Sequence, residues 1–144
     1  MTYEDSFDKP FDDDARKRLE LAERFLAEGR ELIDKDPVQA SEKLYKAAEE
    51  AVKIIAIALK LPEADEAVKR GRWTTGLLES AVISIMKRLG VNELYHWWDS
   101  AYKLHVNGFH EAKLRSDDVR LRLGDVEALV NLANKVLYTS LPNA

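Results

Sequence analysis

The chain has 144 residues, of which 46% are hydrophobic and 33% charged, and its formal net charge is −4 at pH 7. This length and composition predict one globular domain that buries roughly two-thirds of its unfolded surface, and they argue against disorder. The absence of cysteine excludes a disulfide framework, a thiolate metal site and a cysteine nucleophile. The negative charge gives no overall attraction to nucleic acid.

The beginning of the chain is polar and acidic, and Met1–Phe11 is expected to form a flexible arm ahead of a single domain over residues 12–141. This arm lacks the apolar core of a signal peptide, and no apolar run in the chain is long enough to cross a bilayer. With the lack of cysteine, these features predict a cytoplasmic protein with no membrane association. Carboxylates are favoured in the first turn of a helix, so Asp12–Asp14 is expected to begin the first helix.

Two amphipathic helices are predicted next, separated by a tight break before Pro37. The first spans about Asp14–Asp34, with small and aliphatic residues at alternating steps of three and four, the pattern of a bundle helix. The second spans about Pro37–Leu61, with Asp36 as its N-cap and proline at its first position. Its many alanines and broad apolar face predict a core helix that is buried on more than one side.

The remaining connections and helices complete an all-α chain. Pro62 is expected to end the second helix and to open the least regular interior stretch, Leu61–Thr74, with room for one short helical turn at Glu63–Lys69. A third helix is predicted over about Thr75–Leu89, capped by a threonine and stopped by Gly90. The last helix spans about Asp117–Tyr138. With the aromatic stretch described next, about five helices and short connections predict an up-and-down antiparallel bundle.

The stretch Glu93–Arg115 holds all three histidines and two of the three tryptophans, and we expect the other helices to be arranged around it. At about 100° per residue it forms one amphipathic helix, with His105 inside a wide aromatic arc and His96 and His110 on the opposite polar strip. His105 is then either a core histidine bonded to a tyrosine or carboxylate of another helix, or a general base at the floor of an aromatic pocket.

The histidine spacing on this predicted helix argues against a metal site. His96 and His110 lie about 20 Å apart along the axis, and His105 and His110 point to different sides. The i, i+4 pairing of helical zinc sites is also missing. We therefore predict neither a metal nor a cofactor.

The segment KRGRW is the dense basic cluster of the chain that has an adjacent aromatic residue. Cations of this kind bind phosphate and an indole stacks on a base, whereas the alternative is a solvated loop at a helix C-terminus. The candidate ligand-binding residues are Lys69, Arg70, Arg72 and Trp73. A looser basic region at the turn before the last helix comprises Lys113, Arg115, Arg120 and Arg122. If both basic regions lay on one face of the protein, they would support binding of a nucleotide or RNA.

Two segments of the chain carry a resemblance to a known family. They are Ala40–Lys53, read as ASEKLYKAAEEAVK, and Trp98–Glu111, in which LHVNGFHE is the most specific part. From about Ala15 to Leu137 the chain resembles the archaeal PaREP proteins, which look like an outlying branch of the HEPN superfamily. The resemblance implies an HEPN-like helical bundle that forms a homodimer and pairs with a protein partner such as a nucleotidyltransferase.

Many HEPN proteins are metal-independent ribonucleases with an Arg-x4–6-His motif, and this chain has no arginine at that spacing before any histidine. Lys103 stands seven positions before His110, but lysine lacks the bidentate guanidinium fork. The leading expectation is therefore a non-enzymatic module that binds a nucleotide, a nucleic acid or a partner protein. The alternatives are a degenerate ribonuclease, with His110, Lys103 and His105 as candidate catalytic residues, and a purely structural interaction module.

Overall fold

The computed structural model describes the backbone of residues 3–140 and the side chains of residues 13–139. The described chain contains six α-helices, one π-helix and no β-strand, so the predicted all-α class is confirmed. The elements are α1 (Tyr3–Leu32), α2 (Pro37–Ala58), α3 (Pro62–Arg70), α4 (Thr75–Leu89), α5 (Leu94–Lys103), the π-helix (Leu104–His110) and α6 (Ser116–Ser140). None of the described helices is both long and apolar enough to cross a membrane.

Helix α2 is the centre of the fold. The Asp36 carboxylate accepts a hydrogen bond from the backbone N–H of Gln39, and Pro37 occupies the first turn, as predicted. Every other described helix, and the π-helix, packs against α2. The neighbours approach closely: a Cβ added at Gly29 of α1 would lie 2.7 Å from the Leu44 side chain. The predicted core helix is confirmed, and the other elements are arranged around it rather than around the aromatic stretch.

Helices α1 and α2 form an antiparallel hairpin, as two ion pairs between them show. Lys43 of α2 lies 3.0 Å from Glu28 of α1, and Glu50 lies 3.1 Å from Arg18. Residue numbers therefore rise along α2 as they fall along α1, in agreement with the predicted up-and-down arrangement.

Helix α6 closes the bundle against α1. Arg30 of α1 binds Glu127 at 2.6 Å, and Asp34, just beyond the end of α1, binds Arg120. These pairs also run in opposite order along the two helices. The first and last helices of the bundle are therefore antiparallel neighbours on one side of α2.

The start of α1 differs from the prediction. Helix α1 begins at Tyr3, so Asp12–Asp14 lies within the helix and not at its start; the predicted flexible arm, Met1–Phe11, falls outside the residues whose side chains are described. The short helical turn expected within Leu61–Thr74 is present as the nine-residue helix α3. Pro62 follows the end of α2 and also suits the first turn of a new helix, and two acidic residues in that turn favour the helix N-terminus.

A buried carboxylate joins α3 to α4. Oε2 of Glu63 accepts hydrogen bonds from the hydroxyls of Ser80 at 2.6 Å and Ser84 at 2.9 Å. Burial alone would raise the pKa of Glu63, but the hydrogen bonds from Ser80, its own backbone and Ser84 outweigh burial and lower that pKa below the usual 4.5. The ionised carboxylate is therefore the form that stabilises the contact between α3 and α4.

We expect Glu63→Gln to lower the free energy of unfolding by about 1–2 kcal/mol at neutral pH, and we expect this difference to shrink on acidification. A group whose folded pKa is depressed contributes stability above its unfolded pKa and loses it as the pH falls through the folded value. Urea unfolding of both proteins between pH 7 and pH 3 measures the difference. Glu20→Gln, at an exposed position on α1, is the control, and a Glu63→Gln difference that is constant across this range would contradict the prediction.

Candidate functional site

The predicted aromatic helix is not continuous in the structure. Helix α5 ends at Lys103, Leu104–His110 is a π-helix, and residues 111–115 are not helical. In a π-helix each N–H bonds to the carbonyl five residues back, so side chains five apart share a face. The prediction of one α-helix over Glu93–Arg115 is therefore wrong beyond Lys103, since 100° per residue holds only for an α-helix.

The π-helix brings two histidines together. Nε2 of His105 lies 3.2 Å from Nε2 of His110, so the prediction that they point to different sides is wrong. Nδ1 of His105 lies 2.9 Å from Oε1 of Glu42 on α2, which confirms the predicted carboxylate partner. Because a carboxylate only accepts, neutral His105 carries its proton on Nδ1, and its free Nε2 accepts from Nε2–H of His110.

The His105 ring is held in place by its neighbours on α2. Tyr45 stacks on it with ring centroids 4.1 Å apart and planes 21° apart, and burial raises the pKa of the Tyr45 hydroxyl well above its usual value. The π-helix approaches α2 at Gly108, where an added Cβ would lie 2.6 Å from Cβ of Ser41. The His105 side chain remains 23% exposed, so it is partly accessible to solvent.

Other residues of the aromatic stretch do not join this pair. Trp98, which belongs to the predicted aromatic face of this stretch, is 2% exposed and lies in the core. His96 is exposed and lies 3.5 Å from Asp125 of α6. Within residues 13–139, neither a hydrogen bond nor an ion pair joins Lys103 to His110. The spacing of these two residues, which is close to that of the HEPN motif, therefore does not correspond to a direct contact.

A cavity of about 670 Å³ opens between α1, the end of α2, α3 and the loop that follows α3. Arg72 and Trp73 of the basic segment line it, whereas Lys69 and Arg70 do not. Arg70 pairs with Glu66 at 2.8 Å instead. The structure thus separates the four predicted ligand-binding residues into two that face a cavity and two on the exposed last turn of α3.

Charged side chains from outside the basic segment KRGRW complete the lining of the cavity. Arg18 is held by Glu50 at 3.1 Å and by Asp14 at 3.4 Å. Lys60 and Arg72 have no ion-pair partner in the part of the chain whose side chains are described, so their charges are available to an anion. Apart from Arg72, the charged lining residues are Asp14, Arg18, Lys60 and Asp65.

Lys60 adopts a backbone conformation that glycine normally supplies. Its φ is 56°, and its N–H and that of the next residue close a Schellman motif at the end of α2. Gly71 occupies the same position at the end of α3, with φ 75°. A non-glycine residue there costs about 1–2 kcal/mol, and such residues cluster at functional sites. Pro62 is the sequence signal for this cap, because proline often follows a helix C-cap.

The arginines of the second basic region are bound by neighbouring groups of the protein. Arg115 pairs with Asp118 at 3.3 Å, Arg120 with Asp34, and Arg122 donates to the Asp118 carbonyl at 2.8 Å. These contacts join the start of α6 to itself and to the end of α1. They account for the cations structurally, so this region adds no support for nucleic-acid binding.

Comparisons with known proteins relate the chain to one family and to solved structures. Residues 17–130 match the sequence model of the archaeal PaREP1/PaREP8 family. The crystal structure of a protein from Sulfolobus solfataricus is 38% identical, with a TM-score of 0.75 over 81% of this chain and 96% of that chain. The solution structure of the same target, described as the Orf c02003 protein, is also 38% identical, with a TM-score of 0.70 over 81% and 90% of the two chains. No curated protein matches the chain.

Proposed function

This chain belongs to the archaeal PaREP1/PaREP8 family, whose matched region contains Lys60, Arg72 and Trp73, and we propose that it is a non-enzymatic module that binds a nucleotide in the cavity that these three residues line. The observation that carries the proposal is a partly buried indole beside two cations that have no described ion-pair partner, all lining one cavity of about 670 Å³. The proposal also accords with the resemblance to HEPN proteins, because the chain lacks the Arg-x4–6-His motif of the ribonucleases among them.

The size and lining of the cavity suit a mononucleotide. Small-molecule sites are clefts of about 300–1,000 Å³ with a mostly apolar lining and a few polar groups. Here the apolar surface comes from α2 and α3, and the polar groups stand at the surrounding helix ends and the loop. The apolar lining residues include Ile57, Ala64, Ala67 and Val68.

Different side chains of the cavity suit the base, the phosphate and the ribose of a nucleotide. The indole of Trp73 offers a stacking surface, and stacking of a base on an aromatic ring is worth about 1–3 kcal/mol. Arg72 presents a guanidinium fork to two phosphate oxygens, and Lys60 adds a point charge. The Asp65 carboxylate accepts hydrogen bonds from ribose hydroxyls or an exocyclic amino group.

Calorimetric titration with adenosine and uridine mononucleotides tests this function. We expect Trp73→Ala and Arg72→Ala each to weaken binding at least tenfold, about 1.4 kcal/mol, because each removes one of the main contacts. Binding should also weaken as salt rises, since the phosphate contacts are electrostatic. The solution mass of the same samples tests the predicted homodimer.

Arg70→Ala is the matched control for these variants. It removes the same charge from the same basic segment, but Arg70 pairs with Glu66 away from the cavity, so nucleotide affinity should not change. Equal losses in Arg70→Ala and Arg72→Ala would contradict binding in the cavity. A folded protein that binds none of the nucleotides would favour the partner-protein function instead.

RNA cleavage is the second candidate function, favoured by the hydrogen-bonded row Glu42–His105–His110. A carboxylate that holds one tautomer of a histidine is the usual support of a general base. Cleavage of a labelled RNA in the presence of a chelator, lost in His110→Ala, would support this candidate. An RNA that stays intact with the wild-type protein would exclude it.

A further inference from the structure

The two histidine nitrogens at the π-helix lie at a separation that suits a metal ion between them. Two imidazole nitrogens on one ion are about 3.4 Å apart in a tetrahedral zinc site and about 2.9 Å apart at a right angle in a tetragonal copper site. The Nε2 atoms of His105 and His110 are 3.2 Å apart. We propose that these two histidines bind one divalent transition metal ion, with Glu42 as the residue that positions His105.

The surroundings of His105 are those of a metal ligand with a fixed orientation. A histidine ligand usually donates its other ring N–H to a carboxylate, which sets its tautomer and makes it a better ligand. Glu42 lies 2.9 Å from Nδ1 of His105, which leaves Nε2 as the coordinating atom. Tyr45, stacked at 4.1 Å, prevents the ring from turning away.

Metal binding requires little rearrangement of His110. This residue is exposed, so its ring turns without disturbing the core. The proton on its Nε2 moves to its Nδ1, through solvent, and the freed Nε2 lone pair binds the ion. Both imidazoles stay neutral, so no net proton is released by the ligands.

The ligand set selects the kind of metal. Two imidazole nitrogens suit copper, nickel and zinc, whereas magnesium and calcium prefer oxygen ligands. Within the described residues no group of three histidine, aspartate or glutamate side chains could hold a metal, so water fills the remaining positions of the ion. Affinity should follow the order in which Cu²⁺ exceeds Ni²⁺ and Zn²⁺.

This site goes beyond nucleotide binding and is separate from the cavity. Glu42 and the cavity residue Ile57 are fifteen positions apart on α2, which places them about 22 Å apart along the helix axis. Variants of the histidine pair should therefore leave nucleotide affinity unchanged, and variants of the cavity should leave metal affinity unchanged.

Calorimetric titration of the metal-free full chain with Zn²⁺ and Ni²⁺, and electron paramagnetic resonance with Cu²⁺, test the proposal. We expect one ion per chain, with coupling of Cu²⁺ to two imidazole nitrogens. His105→Ala and His110→Ala should each weaken binding at least tenfold, because each removes half of the protein ligands. His110 is exposed, so its variant stays informative if His105→Ala fails to fold.

Two further variants distinguish a built site from a chance pair of surface histidines. Glu42→Gln keeps both ligands, and we expect it to weaken binding about tenfold, the effect of losing an orienting carboxylate. His96→Ala removes the third, exposed histidine and should leave the affinity unchanged. Metal binding that is equally sensitive to His96→Ala and His110→Ala, or that is insensitive to Glu42→Gln, would overturn the proposal, as would the absence of binding.

Discussion

Replacing Trp98 by alanine is expected to lower the free energy of unfolding by about 3–5 kcal/mol, the usual effect of truncating a large buried aromatic side chain. Trp98 is 2% exposed, and its ring centroid lies 5.9 Å from that of Tyr45 and 6.3 Å from that of Tyr102. Its Nε1–H donates to Glu79 at 3.1 Å. The substitution leaves a cavity where α2, α4 and α5 meet, and urea unfolding measures the loss.

The neighbouring tryptophan provides the control. Trp97 is partly exposed, so Trp97→Ala should lose less than half as much stability as Trp98→Ala. Trp98→Phe keeps an aromatic ring in the core and separates the effect of volume from that of the hydrogen bond to Glu79. Equal losses at the two tryptophans would contradict the assignment of Trp98 to the core.

Gly108→Ala is expected to lower the free energy of unfolding by about 1–3 kcal/mol, the range for an overpacked core contact. The added Cβ would lie 2.6 Å from Cβ of Ser41, which is buried and whose hydroxyl donates to the Pro37 carbonyl at 2.7 Å. Ser41 therefore cannot move without α2, so the π-helix must shift outwards. Denaturant unfolding measures the loss, and the imidazole NMR signals of His105 report the expected change in its contact with Glu42.

The chain offers a matched substitution for this prediction. Gly124 lies within α6, and a Cβ there would meet nothing within 4 Å, so Gly124→Ala should stabilise the protein by about 1 kcal/mol through helix propensity. The loss at Gly108 should largely disappear when Ser41→Gly removes the opposing Cβ, as a double-mutant cycle would show. An unchanged loss in that background would place its origin elsewhere.

The helices that were predicted with nearly correct boundaries are those with local signals at their ends. Asp36 and Pro37 start α2, and α4 lies between Thr74, whose hydroxyl accepts from the Leu77 N–H, and Gly90 in the left-handed conformation. These caps act within a few residues, so a single sequence contains them. The π-helix has no such local signal, and its close approach to α2 at Gly108 involves Ser41, a residue distant in the chain.

The candidate sites were predicted only where the residues are close in sequence. Arg72 and Trp73 are neighbours in one basic segment, whereas Lys60 stands alone at a helix end. Glu42 reaches His105 across 63 positions of the chain, and no spacing rule connects them. The i, i+5 pairing of the histidines was missed because it exists only in the rarer helix type.

The central position of α2 has a consequence for how the protein unfolds. Every other described element packs against this helix, so no cut through the described bundle leaves two parts with independent cores. Partial openings are then confined to the outer elements, and the amide hydrogens in the middle of α2 exchange with solvent only when the whole domain opens. We therefore expect the bundle to unfold as a single cooperative unit, in which a core substitution at either end of α2 lowers the stability of the entire domain.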